Sequence, residues 1–323
     1  MLLTMVAYIP SLNVYVSDMI RYVDTYQQMN NLGLFQIFQY FSWEPLFLIM
    51  QWTISRFSTN PSTFVVISFI LYFMIMYISI NRIFLQWQRM YVVFLFLSYP
   101  FFYDYIFNGM RQGFAMMFIL LAIGFWIEKP HTIKFYLSII TAALFHTTSI
   151  IFSAVLLFVL VFNIRLKPLL IIWSIIAFLY FTGLNNLISR FSFIHNFEYY
   201  NTYTNSNIIE GFGGSTNKIT FLLFSFFFLV ISIYFYNKLD MEDINKKIYS
   251  HILKIYLAFN SVFLLFGFIA FSNRLSAYSW HLIPILVVYP LVHKKSSSPF
   301  ILFLVVFSFF VLGIISSPFF KYR

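Results

Sequence analysis

The sequence predicts an all-α, polytopic integral membrane protein with about ten or eleven transmembrane helices and two larger extracytoplasmic loops. Three observations predict it. Hydrophobic residues make up 61% of the 323-residue chain and charged residues only 9%. Apolar runs recur along the whole length, most of them near the ~20 residues that cross a bilayer. The Lys and Arg residues fall mostly in the short segments between those runs. A charged side chain at mid-bilayer costs about 2.5–3.5 kcal/mol on insertion scales, so the ionisable residues that persist mark loops, interfaces or a watery site.

Taken in order, spans are read at 2–16, 62–80, 90–107, 111–127, 134–145, 146–162, 168–184, 219–236, 251–271, 277–292 and 299–317, all within one transmembrane domain covering 1–323. The first run is short for a span, and neither a basic n-region nor a small-residue cleavage site is read at the N-terminus. Short loops rich in Lys and Arg belong in the cytoplasm. Five such loops, 82–89, 129–134, 165–167, 238–254 and 294–295, hold twelve of the twenty Lys and Arg residues. Keeping all five on one side makes Pro45 to Phe57, too short for an ordinary span, an interfacial or re-entrant helix on the outer side. A single helix over 134–162 would run about 43 Å at 1.5 Å per residue, beyond a ~30 Å core. Two arms meeting near Phe145-His146 satisfy both length and charge. The first outer loop is then 17–44, the longest is 185–217, and the C-terminus lies outside.

The net charge of +10 is spread as topology signals and argues against nucleic-acid binding. There is no cysteine, which removes disulfides, thiol nucleophiles and thiolate metal sites. Phosphate-loop, dinucleotide-binding, zinc-protease and nucleophile-elbow motifs are all missing, so ATP-driven pumping, zinc proteolysis and nucleophile-elbow lipase chemistry lose support.

The outer side collects acids, arginines and a histidine. Arg111 follows Asn108-Gly109 and opens an apolar helix, where a guanidinium and helix N-terminal N–H groups together favour an anion such as phosphate; an interfacial arginine that snorkels to head groups occupies the same position. Arg274 lies in the short turn Ser272-Asn273-Arg274, and two arginines on one face would clamp a diphosphate; a plain loop charge reads the same way. His146 sits at the expected helix break, as a titratable group or as a satisfied packing residue. Asp18 and Glu44 bracket the first outer loop as carboxylate bases or as solvated charges. The 185–217 loop interleaves aromatics and amides, including Tyr199, Tyr200 and Tyr203, and adds glycines that suit a flap over a sugar; an interfacial aromatic belt has the same composition.

These pieces, in this order, resemble the EpsG-like group of Wzy-type polysaccharide polymerases. The resemblance rests on Asp18 to Tyr26, Glu44-Pro45, Phe107-Asn108-Gly109-Met110-Arg111-Gln112-Gly113-Phe114-Ala115, Ala143-Leu144-Phe145-His146-Thr147-Thr148-Ser149 and Asn273-Arg274-Leu275-Ser276-Ala277-Tyr278. The family often has Ser after Phe-His-x, where this chain has Thr148 and then Ser149.

The resemblance implies a multi-pass enzyme of the bacterial inner (cytoplasmic) membrane with its active site facing the periplasm. It would be a glycosyltransferase that polymerises undecaprenyl-diphosphate-linked oligosaccharide repeat units, as an O-antigen or capsule polymerase. In that role Arg111, Arg274, Asn108 and Gln112 bind the diphosphate, and His146, Asp18 or Glu44 activates the acceptor hydroxyl. Tyr199, Tyr200, Tyr203 and Tyr278 meet sugars. No cofactor and no metal is expected. The partners are the lipid-linked oligosaccharide, membrane lipids and a separate chain-length regulator protein. The alternatives are an O-antigen ligase-like glycosyltransferase and a lipid-linked oligosaccharide flippase or transporter.

Overall fold

The computed structural model describes residues 17–190, 217–295 and 299–316. The predicted span at 2–16 and the tyrosines Tyr199, Tyr200 and Tyr203 lie outside the described residues. Among the described residues every regular element is helical, apart from one isolated bridge between Met241 and Lys294. Five helical segments are long and apolar enough to cross a membrane, and six shorter apolar helices accompany them. The protein is an all-α polytopic membrane protein.

The described helices gather into two compact units, the first holding the chain up to Ser153 and from Leu304 onward, the second Ala154–Phe303. The first unit opens with α1 (Ser17–Met29), the single turn α2 (Ile37–Tyr40) and α3 (Pro45–Ser55). Residues 17–44, expected as a loop, are therefore largely helical. The reason is amphipathicity. Met19, Tyr22, Val23, Tyr26 and Met29 recur at helical spacing and are buried, while Arg21 and Asp24 on the opposite face are exposed. Carbonyls around the end of α1 accept from α3: the Arg56 guanidinium bonds Met29 O, and Trp52 Nε1 bonds Leu32 O at 3.0 Å. Such partners answer the orphan acceptors that every helix C-terminus leaves. Gln51 Nε2 adds a bond to Tyr22 O at 2.9 Å. The short helix expected at 45–57 is present as α3.

Next come α4 (Pro61–Ile83), α5 (Gln88–Ser98), α6 (Pro100–Phe107), α7 (Met110–Glu128) and α8 (Ile133–Phe145). The single span expected at 90–107 is broken at Tyr99, whose extended φ/ψ of −89°/119° is what a residue preceding proline adopts. The α7 helix is buried on nearly all sides, as expected for a helix apolar around its whole circumference. It runs parallel to α4, with Tyr72 edge-on to Phe114 near the start of α7 and Arg82 paired with Glu128 at its end. The antiparallel return of α8 is fixed by Trp126 against Phe135 at one end and by Phe114 and Phe118 stacked on Phe145 at the other.

After α9 (Ser149–Val161), which enters the second unit, come α10 (Leu166–Thr182), a 3₁₀ turn (Leu184–Arg190), α11 (Ile219–Lys238), α12 (Asp243–Leu265), α13 (Ser272–Trp280) and α14 (Ile283–His293). The α15 helix (Pro299–Ser316) returns the chain to the first unit. The segment 238–254, read as a basic loop, is mostly the first half of α12, so Lys246, Lys247 and Lys254 are carried on a helix. The core of the second unit is built on a buried polar node. Asn260 accepts from Trp173 Nε1 at 2.9 Å and donates to Ser225 Oγ at 2.9 Å and Ser279 Oγ at 3.1 Å. Trp280 Nε1 also reaches Ser225 Oγ at 2.9 Å. In surroundings without water, polar side chains pair with one another in this way, and here they tie α10, α11, α12 and α13 together.

Candidate functional site

Three chain segments converge at the N-terminal end of α7. The α7–α8 hairpin brings the end of α8 back beside the start of α7. Phe145, held between Phe114 and Phe118 at ring-centroid distances of 5.1 and 5.4 Å, sets the position of the next residue, His146. Helix α8 ends there, as the expected break requires: His146 is extended at φ −159°, ψ 125°. Ser149 then starts α9 by donating its amide and its hydroxyl to His146 O at 3.0 and 2.7 Å. Glu44 arrives from the opposite direction as the residue preceding α3, whose first residue is Pro45.

The Glu44 carboxylate is the centre of the site. Its Oε2 accepts from Arg111 Nη1 at 2.5 Å. Its Oε1 lies 2.7 Å from His146 Nδ1 and accepts from the Thr147 amide at 3.1 Å and the Thr147 hydroxyl at 3.2 Å. The side chains of Glu44, His146 and Arg111 are 11%, 18% and 24% exposed, so the cluster is largely shielded but in contact with solvent. Burial pushes the Glu44 carboxyl toward its neutral form. The hydrogen bond and charge of His146, the charge of Arg111 and the Thr147 amide outweigh it and hold the group well below the usual carboxylate range. A carboxylate so held is a weak base. Its chemical role is to fix its neighbours.

Each neighbour is presented in a defined way. The Arg111 guanidinium lies over the Trp43 ring at 5.2 Å, a cation–π contact, and Tyr22 hydrogen-bonds it from α1. Tyr22 packs edge to face on both Trp43 and Phe47. Arg111 Nε makes no bond to the protein and is buried. In the neutral form of the ring, with Nδ1 of His146 directed at the carboxylate, Nε2 is the basic nitrogen, and it sits 3.3 Å from the Thr148 hydroxyl. Hydrogen bonding at one ring nitrogen sets the tautomer at the other.

The other expected site residues fall as follows. Asn108 caps the end of α6 and carries a buried, unbonded Oδ1 close in sequence to Arg111. Gln112 is buried in the first turn of α7. Asp18 lies in the first turn of α1. Arg274 belongs to the second unit, where its guanidinium stacks over Phe271 at 5.1 Å. Phe271 itself adopts the left-handed region at φ 57°, an uncommon conformation for a bulky residue, just before α13. Tyr278, expected to face a sugar, is buried in the second unit. Among the described residues no group of three or more His, Cys, Asp or Glu is placed to hold a metal ion. Sequence reasoning gives no site role to Trp43, Tyr22 or Thr147, although Tyr22 and Thr147 lie inside stretches that carry the family resemblance. For Trp43 the one-dimensional hint is that it adjoins Glu44.

Gly113 couples the fold to this site. A Cβ there would stand 2.3 Å from the Tyr105 carbonyl oxygen and 3.0 Å from the Tyr72 ring. A backbone oxygen cannot swing aside, so α7 would have to shift. Gly113→Ala should lower stability by about 1–3 kcal/mol, the usual range for overpacking, and displace Arg111 two residues away. Thermal unfolding of the purified protein in detergent checks the first effect.

No curated protein and no solved structure matches the chain. The family model described as the EpsG family matches residues 1–323. With a whole-chain family match joined to an all-helical, multi-pass architecture, this chain belongs to the EpsG family of polysaccharide-polymerase-like membrane proteins.

Proposed function

We propose that the protein is a membrane glycosyltransferase that polymerises undecaprenyl-diphosphate-linked oligosaccharide repeat units at the periplasmic face of the bacterial inner membrane. The single observation that carries this reading is the Glu44 carboxylate holding a guanidinium and an imidazole in one half-buried site. Transfer of a glycan from a lipid diphosphate needs those two functions: a cation for the leaving diphosphate and a base for the incoming hydroxyl.

In the proposed reaction the acceptor hydroxyl oxygen attacks the anomeric carbon of the donor glycan. A new glycosidic C–O bond forms, and the C–O bond to the diphosphate breaks with its electron pair leaving on the lipid diphosphate. The acceptor proton passes to His146 Nε2. Arg111 stabilises charge developing on the leaving group; losing one such preorganised donor commonly costs about 10²–10³ in rate. Glu44, engaged by both partners, orients them. His146 is therefore favoured over Glu44 as the base. Arg274, which the structure places in the first turn of α13 and not in the short turn expected at 272–274, is proposed as a further diphosphate ligand. Asn108 and Gln112 accompany Arg111 as proposed diphosphate-binding residues, and a separate chain-length regulator is the proposed protein partner.

The test is a glycan ladder from a strain deleted for this gene and complemented with variants. Wild type restores long chains. Arg111→Lys keeps the charge but loses the planar fork and its stacking on Trp43, and should slow elongation about 10²-fold. An unchanged ladder from the deletion strain would remove the polymerase reading, and full activity of Arg111→Lys would remove the proposed role of the fork.

A further inference from the structure

A second cluster of titratable groups lies far along the chain from Glu44, wholly within the second unit. The turn after α9, the end of α11 and the start of α12 line an open pocket of about 350 Å³. Three lysines line it, Lys246, Lys247 and Lys254, against the single carboxylate of Asp243. Among the described residues no carboxylate stands within ion-pair distance of any of the three. Lys254 is only 5% exposed. Its ammonium donates to Asn163 Oδ1 at 3.2 Å, one of the three bonds an ammonium makes. His251, one turn before Lys254 on α12, also lines the pocket, and its buried Nδ1 has no protein partner. Lys246 is held over the Tyr236 ring at 5.3 Å, which fixes its direction.

Buried and half-buried cations without counter-charges are costly, and a fold retains them where an anion supplies the missing charge. The position indicates which anion. Helix α12 is one of the helices long and apolar enough to span, and the pocket lies along its lysine-bearing N-terminal half, the end that would meet the head-group layer of a bilayer. The basic-loop pattern of the sequence assigns that end to the cytoplasm, where the leaflet is anionic and basic pockets between helices take phosphate head groups.

We propose that this pocket is a phosphate-binding site that seats the head group of an anionic phospholipid. The inference is independent of the glycosyltransferase reading. The full-length protein, reconstituted in phosphatidylcholine nanodiscs with and without phosphatidylglycerol, provides the test. Bound lipid is counted by native mass spectrometry after release, and thermal unfolding is followed in the discs. Wild type should retain phosphatidylglycerol over phosphatidylcholine and unfold at higher temperature with it. Lys246→Gln/Lys247→Gln should weaken that retention about tenfold, since two cations that attract the anionic head group are lost and salt screens part of their attraction. Equal phosphatidylglycerol retention by wild type and variant would overturn the proposal. A stabilisation of wild type alone by millimolar inorganic phosphate, with no preference for phosphatidylglycerol, would overturn the lipid as the source of the phosphate. If the double variant does not fold in phosphatidylcholine discs, Lys247→Gln, at the exposed lip, carries the same comparison.

Discussion

Glu44→Gln should abolish chain elongation and destabilise the first unit together. The amide keeps the shape of the carboxylate but not its charge. Arg111 then loses its counter-ion in a half-buried site, and an NH₂ group faces one of the donors that an acceptor served. Removing one partner of a buried pair is strongly destabilising, by about 3–5 kcal/mol, and the solvent contact of this cluster puts the expected loss near the lower figure. Elongation should fall about 10³-fold, because the guanidinium and the imidazole lose their common anchor. Stability against pH separates the electrostatic role from packing. The folded-state pKa of Glu44 is depressed, so its contribution is present above the unfolded carboxyl range and disappears as pH falls through the folded value. Wild type should therefore lose stability on acidification below about pH 4, and Glu44→Gln should lose less over the same interval. Unfolding midpoints measured from pH 3 to pH 7 decide this. Identical slopes for the two proteins would rule out an ionised Glu44 as the source.

His146→Ala should leave the protein folded and remove elongation. The imidazole is one of four contacts on Glu44, and the Arg111 and Thr147 bonds survive its loss, so the expected stability change is small beside that of Glu44→Gln. A positioned general base is worth about 10²–10⁴ in rate. The same loss is expected for His146→Gln, which restores a hydrogen bond to Glu44 but has no basic nitrogen. That second variant distinguishes a base from a spacer. Elongation by His146→Gln within tenfold of wild type would assign the imidazole to positioning and move the base elsewhere. The readout is radiolabelled repeat-unit incorporation by purified protein in detergent, with unfolding temperature measured on the same samples.

Much of the architecture was legible because hydropathy reports whether a segment fits lipid or a protein core. The spans over Pro61–Ile83, Met110–Glu128 and Ile219–Lys238 lie close to their expected limits. The break at Phe145-His146 followed from length and charge alone, and the short helix after Glu44-Pro45 from its thirteen apolar-rich residues. The structure departs from the hydropathy pattern where local chemistry competes with it. The α1 segment is too polar to look like a span, yet its buried face is regular enough to pack. The 90–107 run is apolar throughout, yet the residue before Pro100 cannot remain helical. The first half of α12 is lysine-rich and looked like a loop, although its helical conformation is supported by Tyr249, Ile252 and Leu253 buried against their neighbours.

The sequence by itself determined the class of molecule, the order of its helices and the residues with chemistry worth placing, since composition and charge position depend only on the chain and its solvent. The arrangement of these residues around one carboxylate was decided by tertiary structure. Arg111 stands 67 residues from Glu44, and His146 stands 102 from it. No local pattern couples such positions. Only the antiparallel return of α8 along α7, and the packing of α3 beside them, brings the three groups within hydrogen-bond distance and turns Glu44 from a candidate base into the anchor of its neighbours.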